Sequence, residues 1–132
     1  MKLIILSFVF TFLLACSSNK TSVEVRSSEE FIEKVSKEKF GDSNIEKLFN
    51  HSRDFVIIEN KIDRGIGFPD VTEFLVVDLK KKKVVYDDSV IDGSVSWNDN
   101  DVIQIKRIPD ARSKDEEVNE KAELKLINVR NL

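Results

Sequence analysis

The fold class predicted from the sequence is α+β, an N-terminal helix or helix pair packed on an antiparallel β-meander of about five to six strands. Three observations predict it. Apolar residues recur at helical spacing only between residues 31 and 49. From residue 55 onward they come in short β-branched or alternating runs, and most of these runs are separated by brief polar turns. Helices confined to the front, followed by turn-linked strands, are the pattern of a helical layer on a meander.

Ser27-Ser28-Glu29-Glu30 reads as a helix start, with Ser27 and Glu30 at capping-box spacing. Phe31, Ile32, Val35 and Phe40 follow near the helical period, and Gly41 is a natural stop. A second short helix is predicted from Ser43, with Glu46 three residues on and Ile45, Leu48 and Phe49 as its apolar face. Strands follow at "DFVIIENKI", "VTEFLVVDL", "KVVYDD", "GSVSW", "VIQIKRI" and "AELKLINV". In "VTEFLVVDL" both alternating sets are apolar, as in a central strand covered on two faces.

The N-terminus carries a different signal. Lys2 precedes Leu3–Ala15, an uncharged run interrupted only by Ser7 and Thr11. A spanning helix needs about 20 apolar residues, whereas a signal-peptide core has roughly 7 to 15. The run ends in Leu13-Leu14-Ala15-Cys16, which resembles the lipobox of bacterial lipoprotein precursors. The resemblance implies that residues 1–15 are a lipoprotein signal peptide and that Cys16 becomes a lipid attachment site after cleavage. Two or more acyl chains hold a protein stably where one is marginal. Residues 16–27 are then the lipidated N-terminus and a polar, flexible tether, and residues 28–132 a single domain. Ser17 after the cysteine resembles the pattern sent to the outer membrane of two-membrane envelopes. The expected location is therefore the cell envelope, periplasmic face, with membrane lipid as the first partner.

Cys16 is the only cysteine, so the cleaved chain has no disulfide and relies on packing. Cleavage leaves 117 of the 132 residues and, with Lys2 gone, moves the formal charge from −3 to about −4. That mildly acidic balance argues against a nucleic-acid partner. Phe31, Phe40, Phe49, Phe55, Phe68, Phe74, Tyr86 and Trp97 supply the aromatic content of one core. The stretch Glu73–Ile105 is similar to one meander of a propeller blade, and Asp78-Leu79-Lys80 with Lys83-Val84-Val85 resembles a core found in small uncharacterised envelope lipoproteins. Neither resemblance implies an activity.

No catalytic constellation stands out. His51 is the only histidine, and Ser52 or Ser89 would need it delivered by the fold to act as a nucleophile. Asp87, Asp88, Asp92, Asp99 and Asp101 crowd two turns. Read as a calcium loop, the frame from Asp88 fails at Val90, and the frame from Asp99 runs into Val102 and Ile103. Aspartate at turns more simply serves backbone hydrogen bonds. No metal or cofactor is expected. Lys80–Lys83 reads as a solvated hairpin tip that guards a sheet edge, with anionic lipid as the functional alternative. Two loops remain as contact candidates. "RGIGFPD" places Ile66 and Phe68 among Gly and Pro, either as an exposed contact tip or folded back onto the core. Pro109–Lys121 is long and charged, the pattern of a disordered segment or a partner-binding one. The expectation is a non-enzymatic binding or interaction module with an envelope protein as a possible partner. The alternatives are a periplasmic inhibitor or immunity-type lipoprotein presenting Ile66 and Phe68, and a hydrolase or metal-dependent enzyme built on Asp87, Asp92 and Asp99.

Overall fold

The computed structural model describes the backbone of residues 19–107 and 123–132, and the side chains of 26–107 and 123–132. The signal segment 1–15, Cys16 and the Pro109–Lys121 loop lie outside the described residues. Helix α1 (Asn19–Phe40) leads into β1 (Ile45–Phe49), β2 (Phe55–Ile62), β3 (Val71–Asp78), β4 (Lys83–Ile91), β5 (Gly93–Asp99), β6 (Val102–Arg107) and β7 (Glu123–Asn128), and a 3-10 turn closes the chain at Val129–Asn131. The strands form two antiparallel sheets, β1-β2-β3-β4 and β5-β6-β7.

Three layers result. On one face of the first sheet, Val56, Ile58, Leu75 and Val77 pack against Ile32, Val35 and Phe40 of α1. Phe55, Ile57, Phe74 and Val76, the alternate set of the same strands, join Val95, Ile103 and Ile105 of the second sheet. Because successive strand residues point to opposite faces, β2 and β3 are covered on both. This is the doubly buried central strand that the composition of β3 predicts.

The helix differs from expectation at its start and agrees at its end. It begins at Asn19, inside the expected tether, so Ser27 and Glu30 lie within it instead of capping it. The end is set by Gly41, whose φ of 64° suits glycine and whose amide donates to the Lys37 carbonyl at 3.0 Å. Ser43 then donates its hydroxyl to the Phe40 carbonyl at 2.7 Å. It finishes α1 and starts no second helix.

The segment predicted as that second helix is strand β1, paired along its length with β2 from Ile45↔Asn60 to Phe49↔Val56. Ile45 packs into the helix-side cluster and Leu48 into the inter-sheet cluster. A five-residue helix is far below the length at which helices hold themselves, whereas the open edge of β2 offers a full ladder of hydrogen bonds. Tertiary pairing therefore outweighs the helical spacing.

The meander of Glu73–Ile105 is also not one sheet. It turns a corner between β4 and β5, where Asp92 has a φ of 46°. At Gly93 an added methyl would collide with the Lys106 carbonyl oxygen and the Val90 side chain. Glycine is required here because the backbone passes against β6 as it moves from one sheet to the other. Within β4, the register shift opposite Val76 and Val77 leaves Val85 as an extra residue, and Val85 and Tyr86 both pack against the inter-sheet cluster.

Candidate contact surface

The two ends of β2 and β3 differ in chemistry. One end carries the 63–70 loop. Asp63 accepts the Gly65 amide at 2.7 Å, and the Phe68 amide donates to the Gly65 carbonyl at 3.2 Å. Gly65 and Gly67, with φ of 84° and 87°, turn the chain so that Ile66 is fully exposed, at 105% of its reference area, and Phe68 is 63% exposed. The Arg64 guanidinium lies 5.9 Å from the Phe68 ring centre. The possibility that both side chains fold back onto the core is therefore not realised.

The loop's base is fixed while its tip is presented. Asp92 donates its amide to the Asp70 carbonyl at 2.9 Å, and its side chain accepts the Asp70 amide at 3.0 Å. This pair of bonds staples the loop to the corner between the sheets. Directly below, the register sets Ile62, Val71 and Ile91 side by side across β2, β3 and β4. Paired residues share a face, so they form a row, and Ile62 and Ile91 remain 36% and 56% exposed. Loop and row together make an apolar end to the molecule.

The chain matches no family model, no curated protein and no solved structure.

The acidic turns do not converge. Asp87 is ion-paired with Lys39 at 2.9 Å. Asp88 accepts from the Tyr86 hydroxyl at 3.0 Å and faces Arg107 at 3.8 Å. Asp92 is taken up by the staple, and Asp99 accepts the Asn100 amide at 2.7 Å. Among the described residues no cluster of three or more histidine, aspartate or glutamate side chains is placed to hold a metal ion. His51 sits exposed in the β1–β2 turn, not at a helix end, and Ser89 is on β4. Among the described residues no helix is long and apolar enough to cross a membrane.

Two charged clusters were not visible in the sequence. Glu46 and Glu59 are cross-strand partners on β1 and β2, and Lys61 reaches both, at 2.9 Å and 2.8 Å. The Glu59 side chain is only 4% exposed. Burial pushes its carboxyl above the usual range against the opposing pull of Lys61, whereas the hydrogen bond from Lys61 holds Glu46 below it. The second cluster lies at the opposite end of the sheet. Lys80 and Arg130 converge on Asp54 at 3.0 Å and 3.3 Å, and Arg130 also binds Asp101. Lys80, chiefly by its hydrogen bond, holds the Asp54 carboxyl below its ordinary value. These groups line an open cavity of about 220 Å³ with Phe55, Asp78 and Lys81. Each cation there already faces a carboxylate, which makes the cluster a brace between the β1–β2 turn, the β3–β4 turn and the C-terminus.

Proposed function

We propose that the chain is a membrane-anchored bacterial envelope lipoprotein whose domain is a binding module, engaging an envelope protein through the 64–70 loop. Cys16 is the attachment site in this reading, and Ile66 and Phe68 are the contact residues. The single observation that carries it is a loop with a hydrogen-bonded base and two exposed apolar side chains at its tip. Large exposed apolar groups that serve no core mark contact surfaces. The fixed base lowers the entropic cost of contact, and the inhibitor or immunity form of this reading needs the neighbouring Ile62, Val71 and Ile91 row as well. The test is in-cell crosslinking and capture of the tagged full chain, compared with Cys16→Ala and with Ile66→Asp/Phe68→Asp. One partner at near-equal amounts, lost on the loop substitutions, supports the reading. A partner profile unchanged by those substitutions rejects the loop as the contact.

A further inference from the structure

We infer that the β3–β4 turn, Lys80–Lys83, is the membrane-facing end of the domain and rests on anionic phospholipid headgroups. This holds the Ile66–Phe68 loop at the far end, directed away from the lipid. The inference rests on the anchor reading of Cys16 and adds an orientation and a lipid chemistry to it.

The direction of α1 decides the geometry. Near its middle, Ser27 accepts a hydrogen bond from the Lys82 ammonium, and near its end Lys39 pairs with Asp87, halfway along β4. The helix thus runs up the sheet from the lysine turn toward the apolar end. Its N-terminal part, Asn19–Arg26, continues past the lysine turn by roughly 12 Å at 1.5 Å per residue. Cys16 is three residues before Asn19. A lipid on Cys16 therefore enters the membrane on the lysine side. The 63–70 loop is at the other end of β3, whose eight residues span about 25 Å.

The charges at that end suit an anionic surface. Lys80 and Lys81 are opposed by Asp54 and Asp78, at 3.0 Å and 3.6 Å. Lys82, at φ 48° in the turn, is exposed and its ammonium is bound to a neutral hydroxyl and not to a carboxylate. Lys83 is exposed at the start of β4, and Arg26 is exposed on the neighbouring helix turn. The turn thus retains two positive charges after its internal pairs are counted. Although the whole chain is acidic, a local cationic tip within a Debye length of the headgroups is what an anionic leaflet attracts. A lysine near such a surface gains roughly fivefold in binding, so two unopposed lysines supply about 30-fold.

The test uses the full chain, lipidated in bacteria, purified in detergent and reconstituted into vesicles of phosphatidylcholine alone or with phosphatidylglycerol. Intact mass establishes the state of Cys16, and amine acetylation read by peptide mass spectrometry follows each lysine. The expected result is acylated Cys16 with Lys82 and Lys83 acetylated at least about fivefold more slowly on the anionic vesicles, an effect removed by 0.5 M salt. Lys106, on the second sheet, is the internal control and stays unchanged. Acylated Cys16 with equal labelling of Lys82 and Lys83 on both lipids overturns the seating and leaves the anchor standing. Cys16 without lipid overturns both.

Discussion

Asn50 joins the two sheets at their turns, and its removal has a calculable cost. The residue is 3% exposed in the β1–β2 turn. Its side-chain oxygen accepts the Phe55 amide at 3.0 Å, and its amide nitrogen donates to the Asn100 carbonyl at 2.8 Å, across in the β5–β6 turn. Asn50→Ala strands the Phe55 amide at a residue only 3% exposed, while the half-buried Asn100 carbonyl regains water. An unsatisfied buried donor costs about 1–3 kcal/mol and a lost hydrogen bond about 1 kcal/mol, so the expected loss is about 2–4 kcal/mol. That is a large share of the 5–15 kcal/mol typical of a domain. Asn100→Ala keeps the backbone carbonyl and gives up the 2.8 Å bond from the Ser52 amide, with an expected cost of about 1 kcal/mol. Urea unfolding followed by the fluorescence of Trp97 measures both. Trp97 is the only tryptophan, it donates to the Leu48 carbonyl at 2.7 Å, and it packs 6.4 Å from Phe55, so it reports on this junction. Far-ultraviolet dichroism in parallel checks that unfolding is two-state. An Asn50→Ala cost below about 0.5 kcal/mol at unchanged m-value would refute the reasoning, because the Phe55 amide would then have another acceptor.

Three further outcomes follow from the same structure. Gly93→Ala lowers stability by about 3 kcal/mol, since the methyl meets backbone on β6; a change within 0.5 kcal/mol in the same unfolding assay would mean the corner is looser than described. Ile66→Asp with Phe68→Asp leaves the unfolding free energy within about 0.5 kcal/mol, because neither side chain is in the core, and a loss above about 1.5 kcal/mol would place them there. Glu59 has a raised carboxyl pKa, so between its unfolded value near 4.5 and its higher folded value the native state binds more protons and stability falls as pH rises. Glu59→Gln removes that fall above pH 4.5 and leaves the acid-side rise set by the lowered Asp54; an unchanged pH profile of urea midpoints would rule out the linkage.

The six strands predicted from residue 55 onward correspond to β2–β7, because each is a run bounded by turn residues and needs little context. What the sequence concealed depended on neighbours. Ile45, Leu48 and Phe49 sit at helical spacing, yet only the free edge of β2 decides their conformation. "VIDGSV" reads as an ordinary hairpin turn, but the approach of Gly93 to Lys106 and Val90 makes it a corner between sheets. The glycines and proline around Ile66 and Phe68 marked a loop, but the same pattern suits side chains folded back onto the core, and only the positive φ of Gly65 and Gly67 in the folded chain turns them outward. Glu59 was not, for its burial and its pairing with Glu46 arise from a register that no local pattern announces.

The size of the apolar end bears on which kind of binding it supports. Burying Ile66 and Phe68 contributes about 1.5–3 kcal/mol each, or about 3–6 kcal/mol together. Against this stands the ordering of the tip, about 1–2 kcal/mol for each residue that becomes fixed, and the translational and rotational cost of association. The Gly65–Phe68 turn and the staple at Asp70 reduce the first cost without removing it, since Arg64 to Pro69 lie between fixed points. The loop alone therefore supports weak, transient contact. Tight one-to-one inhibition requires the strand row as well, because Ile62, Val71 and Ile91 are already ordered by the sheet and add area at little entropic cost. Ile91 is the discriminating residue: it is 56% exposed at the edge of the first sheet, so Ile91→Asp spares the fold. A loss of partner capture comparable to that of Phe68→Asp would assign the inhibitor-type footprint, and capture unchanged by Ile91→Asp would restrict the contact to the loop and to low affinity.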